Sequence, residues 1–205
     1  MLNNNVIKEP NFELEILRMC ESTKEMFELT FEGFRKLNKE RLSQAEEIGQ
    51  EIHLKEKTLV PLIIAALSKS REPTRNLELL SLVPTHLERI GDNIELLIRC
   101  SNSIIEDGIC FSDKALKEIN MLFENLTELL QYVGDIIKTN NKVLVTHVLE
   151  EIKNFQEIVN EYSIWHYDRL IEGSCLPKAS SSYLALIDYL SEIASHIKWI
   201  TRSYQ

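Results

Sequence analysis

The chain has 205 residues, of which 44% are hydrophobic and 27% charged, a composition typical of a globular protein. Its 32 acidic residues outnumber its 23 basic ones and give a net charge of −9, which argues against binding to nucleic acid or to an anionic membrane surface. The small numbers of glycines (6) and prolines (5) favour long helices over a β-rich or loop-rich fold.

The first helix is predicted to follow Pro10, with Asn11 as its N-cap. Its apolar stripe repeats with alternating four- and three-residue gaps, which is typical of a helix packed in a bundle. The stripe comprises Ile16, Cys20, Thr23, Phe27, Thr30, Phe34 and Leu37. A turn follows, with Asn38 or Ser43 as its boundary residue.

Two more helices complete the first half of the chain. The second is predicted over about residues 43–67, with a distortion at Pro61 because proline removes a backbone hydrogen bond. The third follows Pro73, which suits the first position of a helix, and is expected to bend at Pro84. Its apolar stripe comprises Leu80, Val83, Leu87, Ile90, Ile94 and Leu97.

The helical pattern restarts after Gly108, with Ser112 as a candidate N-cap. Three helices are predicted over about residues 113–138, 143–171 and 181–203. The turn TNNK and the irregular stretch EGSCLPKASSS separate them. The sequence therefore predicts an all-α fold of six long helices in two tandem antiparallel three-helix bundles, with no β-sheet.

This pattern indicates an internal duplication. A shift of 103 residues superimposes LERIGDNIELLIRC on LSEIASHIKWITRS and aligns identical residues. The pairs are Leu87 with Leu190, Ile90 with Ile193, Ile94 with Ile197 and Arg99 with Arg202. The predicted division is a tail at residues 1–11, a first repeat at 12–107 and a second repeat at 108–205.

No segment of the sequence predicts export or membrane insertion. The opening residues are polar, and the longest apolar run, at 59–67, is far shorter than the ~20 residues that cross a bilayer. The cysteines lack CxxC spacing, so we expect buried or half-buried free thiols in a reducing cytoplasm. They are Cys20, Cys100, Cys110 and Cys175.

The stretch HLERIGDNI places Glu88 and Asp92 one helical turn apart, on the side of the third helix opposite its apolar stripe. Gly91 would let another group approach closely, whereas Arg89 points about 100° away from Glu88 and is an imperfect partner. The pair is either a solvated acidic face or a site for a hard divalent cation.

The string HLERIGDNI, ending a three-helix repeat, resembles the signature of the PhoU family. The resemblance implies two three-helix repeats, each with an E(D)xxxD motif on its third helix, which some members use to bind iron or other metal clusters. It further implies a cytoplasmic regulator of phosphate uptake that acts as an adaptor between a phosphate transporter component and a sensor histidine kinase. Glu88 and Asp92 match the motif as metal ligands, and homodimers are expected.

The second repeat departs from this motif, because Ser191 and Ser195 align with Glu88 and Asp92. The same helix offers a stripe of two carboxylates and an imidazole, which is either a displaced metal site or a polar helix face. The stripe comprises Asp188, Glu192 and His196.

Three other side chains receive structural interpretations. His166 is expected at a helix surface or boundary, and Trp165 and Trp199 in the core or at an interface.

Three functional interpretations remain open. The first is a regulatory adaptor without catalytic chemistry, since the sequence contains no GxSxG, Walker A, GxGxxG or HExxH motif. The second is a metal-free helical interaction domain associated with a sodium/phosphate cotransporter. The third is a di-iron bundle enzyme, which is disfavoured because the sequence contains no Glu-x-x-His motif.

Overall fold

The computed structural model describes residues 11–69 and 75–205, with only the backbone of 75–77 described. The predicted tail, apart from Asn11, and Pro73 lie outside these residues. Six helices follow one another, and no strand occurs in the described ranges, so the predicted all-α fold is confirmed. They are α1 (Phe12–Lys36), α2 (Lys39–Lys69), α3 (Arg75–Glu106), α4 (Asp113–Thr139), α5 (Lys142–Ile171) and α6 (Pro177–Ser203).

Side-chain caps define where several helices begin. The Asn11 side chain accepts a hydrogen bond from the Leu14 N–H at 3.2 Å, and Ser112 accepts one from the Ala115 N–H at 3.3 Å. Asn141 caps α5 in the same way. These bonds satisfy N–H groups that the first turn of a helix leaves free, and they confirm the predicted caps Asn11 and Ser112.

The junction between α1 and α2 is tighter than predicted. Leu37 does not belong to the apolar stripe of α1, because it is the left-handed C-cap (φ 52°) and is 60% exposed. The next residue, Asn38, accepts a hydrogen bond from the Glu40 N–H at 2.9 Å. Helix α2 therefore begins at Lys39, and the alternative boundary Ser43 lies inside it.

Helix α6 begins at Pro177, four residues before the predicted start. Proline is well suited to the first turn because its fixed φ is helical and its missing N–H has no partner there in any case. By contrast, Pro61 and Pro84 lie within α2 and α3, and both helices continue through them.

The six helices form two three-helix bundles that lie side by side. Helices α1 to α3 pack on one another, as do α4 to α6, while α1 contacts α4 and α3 contacts α6 across the centre. Helices α2 and α5 lie outside this central group of four. Three of the residue pairs aligned by the 103-residue shift are fully buried. They are Leu87 with Leu190, Ile90 with Ile193 and Ile94 with Ile197.

Aromatic side chains join α1 to α4. The ring of Phe123 lies between those of Phe27, Phe31 and Phe34, with centroid distances of 5.2, 4.7 and 5.8 Å. Burial of each such ring contributes roughly 1.5–3 kcal/mol, so this cluster is a major contact between the bundles. None of the helices in the described ranges has an apolar stretch that would span a bilayer.

Candidate functional site

The acidic pair of α3 lies at the surface, as predicted, but it is not unpartnered. The Glu88 side chain is 15% exposed and that of Asp92 is 45% exposed. Arg89 reaches both: its Nε lies 3.9 Å from a Glu88 oxygen and its Nη1 lies 3.4 Å from Asp92 Oδ2. These long distances agree with the expectation that Arg89 is an imperfect partner for the pair.

A histidine from α2 also contacts this pair. His53 Nδ1 lies 3.1 Å from Glu88 Oε1. Gly91 does not open a gap beside the carboxylates, because it is buried and faces α2, where an added Cβ would lie 3.7 Å from a methyl group of Ile52. The predicted approach route at Gly91 is therefore filled by the interior of the first bundle.

The contact between α3 and α6 brings two histidines together. His86 Nδ1 and His196 Nδ1 lie 3.2 Å apart, so one ring donates a hydrogen bond to the other. The Trp199 ring stacks on His86, with centroids 6.1 Å apart and planes 8° apart. His86 was not among the predicted site residues, although it stands two positions before Glu88.

Both histidines of this pair are half-buried and have lowered pKa values. Burial, followed by the adjacent His196 ring, lowers the pKa of His86. Burial is also the main cause of the lowered pKa of His196. The charge of Glu192 raises this pKa, and that of Arg89 lowers it. The charges of Glu88 and Asp92 act on His196 as well. The structure thus places one residue of the second predicted stripe beside the first motif.

The remaining residues of that stripe do not complete a metal site. Asp188 and Glu192 are exposed on α6, and Ser195, at the position equivalent to Asp92, donates its hydroxyl to the Ser191 carbonyl at 3.1 Å. Over the described side chains, no group of three or more His, Cys, Asp or Glu residues is arranged to hold a metal ion. Metal binding by Glu88, Asp92, Asp188, Glu192 and His196 therefore stays a prediction.

A second polar site, in the second bundle, was not predicted. Arg169 of α5 donates two hydrogen bonds of 2.8 Å to the Glu118 carboxylate of α4, and the Tyr183 hydroxyl donates to Glu118 at 2.6 Å. Glu118 is 5% exposed and Arg169 is 8% exposed. The ion pair is a buried, bidentate one, of the kind that is costly to break.

His166 belongs to the same region and corrects another prediction. It is 3% exposed rather than at the surface, its Nε2 lies 2.6 Å from the Ser180 hydroxyl, and its ring stacks on Tyr183 at 4.4 Å. The pKa of His166 is lowered mainly by burial, and the positive charge of Arg169 lowers it further.

The sequence contained a signal for this site. The buried residues of α5 recur with alternating gaps of three and four, and the series ends in two polar members. The whole series comprises Val145, Val148, Ile152, Phe155, Val159, Tyr162, His166 and Arg169. A charged residue that continues an apolar stripe indicates a buried partner, which is Glu118.

The two tryptophans do not lie in the core. Trp165 is 41% exposed and packs beside Tyr162 and under the Lys114 ammonium group, which lies 5.0 Å from its ring. Trp199 is 59% exposed. The alternative that they form an interface stays a prediction.

One stretch of the chain matches a known protein family. The family model for the PhoU domain matches residues 16–99, which include most of α1, all of α2 and the acidic pair of α3. No curated protein sequence matches the chain.

Solved structures show the same fold over nearly the whole chain. The chain is similar to PhoU from Pseudomonas aeruginosa, with a TM-score of 0.88 at 16% identity over 95% of this chain and 93% of that one. It is also similar to the phosphate transport system regulatory protein PhoU from Streptococcus pneumoniae, with a TM-score of 0.82 at 12% identity over 94% and 91%. A PhoU-like protein from Shewanella oneidensis matches with a TM-score of 0.64 at 13% identity over 93% and 96%. The resemblance to PhoU is thus confirmed: residues 16–99 match the PhoU domain model, and the chain has the fold of the solved PhoU structures.

Proposed function

We propose that this protein regulates phosphate transport as an adaptor that docks on the cytoplasmic side of a phosphate transporter component, with a sensor histidine kinase as a second partner. The observation that carries the proposal is the PhoU domain at residues 16–99. Its structural neighbour from Streptococcus pneumoniae is described as a phosphate transport system regulatory protein. An adaptor of this kind needs no reaction centre, only surfaces that distinguish its partners.

The outer end of α2 supports a docking role. Leu62 and Ile64 are 52% and 55% exposed, and Pro61 beside them is exposed as well. Helix α2 lies outside the central group of four helices, so this end is open to a partner. At about 100° per residue, Leu62 and Ile64 lie on the two sides of the outward-facing Pro61, and exposed apolar side chains grouped at one helix end are typical of protein–protein contact sites. We assign this segment to contact with the transporter component.

The acidic pair of α3 supports a metal-free form of the adaptor. The Arg89 guanidinium contacts both carboxylates, and His53 contacts Glu88. A cation bound between Glu88 and Asp92 would have to displace Arg89.

Co-purification tests the docking surface. The tagged protein, expressed in its native host, is expected to retain a phosphate transporter subunit identified by mass spectrometry. The double variant Leu62→Asp/Ile64→Asp is expected to lose it, because two carboxylates would be desolvated at the contact. Val143→Asp is the control: it places an acid on an open apolar position, 78% exposed, in the second bundle.

Far-UV circular dichroism checks that both variants retain their helices. Retention of the transporter subunit by the folded double variant would remove α2 as the docking surface. Recovery of no transporter subunit with the unaltered protein, at low and at high phosphate, would contradict the adaptor function itself.

A further inference from the structure

The outward face of α5 carries an apolar stripe near the end of the helix. Ile164, Tyr167 and Ile171 are 59%, 53% and 85% exposed. Their spacing of three and four residues places them within about 60° of one another around the helix, on the side opposite its buried stripe. Trp165, at the edge toward α4, is exposed as well. This spacing is typical of a helix face that packs on another helix, yet within the described ranges α5 contacts only α4 and α6, and neither covers the stripe.

An acidic edge runs along this stripe. Glu161 and Asp168 are exposed and lie about 60° and 40° from Ile164 around the helix, on the side toward Trp165. Neither carboxylate forms an ion pair with a residue that the structure describes. Lys114 of α4 lies over the Trp165 ring, 5.0 Å from its centre, rather than against either acid. The surface is therefore apolar with an uncompensated negative edge.

The charge of this surface argues against a second copy of the chain as its occupant. In an antiparallel pairing of two α5 helices, each acidic edge would face its equivalent in the other copy, and facing like charges oppose association. Each copy also carries a net charge of −9. A partner helix with lysine or arginine beside its own apolar stripe would instead be attracted to this edge.

We propose that the outer face of α5 binds an amphipathic helix of a protein partner, one whose apolar residues recur at three- and four-residue spacing with basic residues beside them. Ile164, Tyr167 and Ile171 form the apolar contact, and Glu161 and Asp168 pair with the basic side chains. This surface lies in the second bundle, whereas the contact proposed above for the end of α2 lies in the first. The inference therefore goes beyond the transporter contact and does not depend on it.

Fluorescence anisotropy of a labelled synthetic peptide tests the proposal on the full chain. The peptide contains only leucine and lysine, with the leucines at three- and four-residue spacing. Saturable binding of one peptide per chain is expected, with a Kd on the order of 10 µM. The double variant Ile164→Asp/Ile171→Asp is expected to weaken binding by about tenfold or more, because the peptide would desolvate two carboxylates. Attraction by charge alone would make this variant bind more tightly, and that result would overturn the docking surface.

The control variant is Leu62→Asp/Ile64→Asp, which makes the same change of charge at two exposed apolar positions of α2. It is expected to bind the peptide as the unaltered protein does. Equal weakening by the two double variants, both shown to be folded by far-UV circular dichroism, would overturn the assignment to α5. So would the absence of saturable binding up to about 200 µM peptide.

A second pair of variants tests the acidic edge. Glu161→Gln/Asp168→Asn is expected to weaken peptide binding by about threefold or more at low salt. Glu150→Gln/Glu151→Gln neutralises two exposed acids farther back on the same helix and is expected to leave binding unchanged. Equal effects of the two variants would overturn the choice of a basic partner, as would equally tight binding of a peptide with glutamate in place of lysine.

Two measurements separate this partner from other occupants. Sedimentation velocity that shows a dimer in the unaltered protein, and a monomer in Ile164→Asp/Ile171→Asp, would assign the surface to a second copy and overturn the proposal. Flotation of the unaltered protein with phosphatidylcholine vesicles, abolished in the same variant, would assign the surface to a lipid bilayer with the same consequence. The proposal predicts that this variant changes neither self-association nor flotation.

Discussion

His86 Nδ1 and His196 Nδ1 lie 3.2 Å apart where α3 of the first bundle meets α6 of the second. The pKa values of both rings are lowered, principally by burial, so the folded protein binds protons there less readily than the unfolded chain. Above about pH 7.5 both states are neutral at these sites. As the pH falls through the unfolded value of about 6.5, the unfolded state gains protons first, and the free energy of unfolding decreases.

Urea unfolding between about pH 8 and pH 5.5 measures this decrease. The double variant His86→Asn/His196→Asn is expected to show a shallower dependence on pH, because Asn retains a side-chain amide near the Nδ1 position and does not titrate. The control variant is His147→Asn, which makes the same substitution at an exposed position of α5 away from the contact between α3 and α6. A slope unchanged in the double variant would contradict the account of this pair.

The buried pair of Glu118 and Arg169 is expected to stabilise the second bundle only as a pair. Arg169→Leu leaves a carboxylate uncompensated among buried side chains and is expected to cost about 3–5 kcal/mol. The double variant Glu118→Leu/Arg169→Leu removes both charges and is expected to lose less than the sum of the two single changes. Urea denaturation of all four proteins gives the coupling. Additive losses would show that the two groups do not interact.

Gly33 makes a close approach between α1 and α2. A Cβ added there would lie 2.6 Å from a methyl group of Leu42 and 3.1 Å from the Asn38 carbonyl oxygen. Gly33→Ala is therefore expected to destabilise the protein by about 1–3 kcal/mol through overpacking. Gly134 is a matched control in α4, where the nearest neighbour of an added Cβ is 4.0 Å away. Gly134→Ala is expected to stabilise by up to about 1 kcal/mol. Equal effects in thermal unfolding would contradict the packing argument.

Metal content distinguishes the two forms of the adaptor. We expect purified wild-type protein and the variant Glu88→Ala/Asp92→Ala to contain equal, substoichiometric amounts of iron, manganese and zinc. The reason is that Arg89 and His53 already contact the two carboxylates. Metal bound stoichiometrically by wild type and lost in the variant would establish the metal-binding alternative.

The sequence predicts the fold well because the fold depends on local patterns. The apolar stripes with three- and four-residue gaps correspond to buried helix faces. Asn11 and Ser112 are the N-caps of α1 and α4, as expected for side chains that can accept a backbone hydrogen bond. The misplaced boundaries have local physical causes as well. Leu37 fits the stripe by spacing, yet the chain turns there into a left-handed conformation, and Pro177 starts α6 before the apolar stripe begins.

The sites were harder to predict because they depend on which helices meet. The contact between His53 of α2 and Glu88 of α3 joins residues 35 positions apart. The His86–His196 contact joins residues 110 positions apart. No periodicity in either helix specifies that α3 packs on α6.

Deletion of the gene, with phosphate uptake and phosphate-regulated expression measured at low and high external phosphate, tests the central proposal most directly. The proposal predicts that uptake or expression no longer responds normally to phosphate supply, and that the wild-type gene restores the response while Leu62→Asp/Ile64→Asp does not. Uptake and expression that match the parent strain at every phosphate concentration would contradict it.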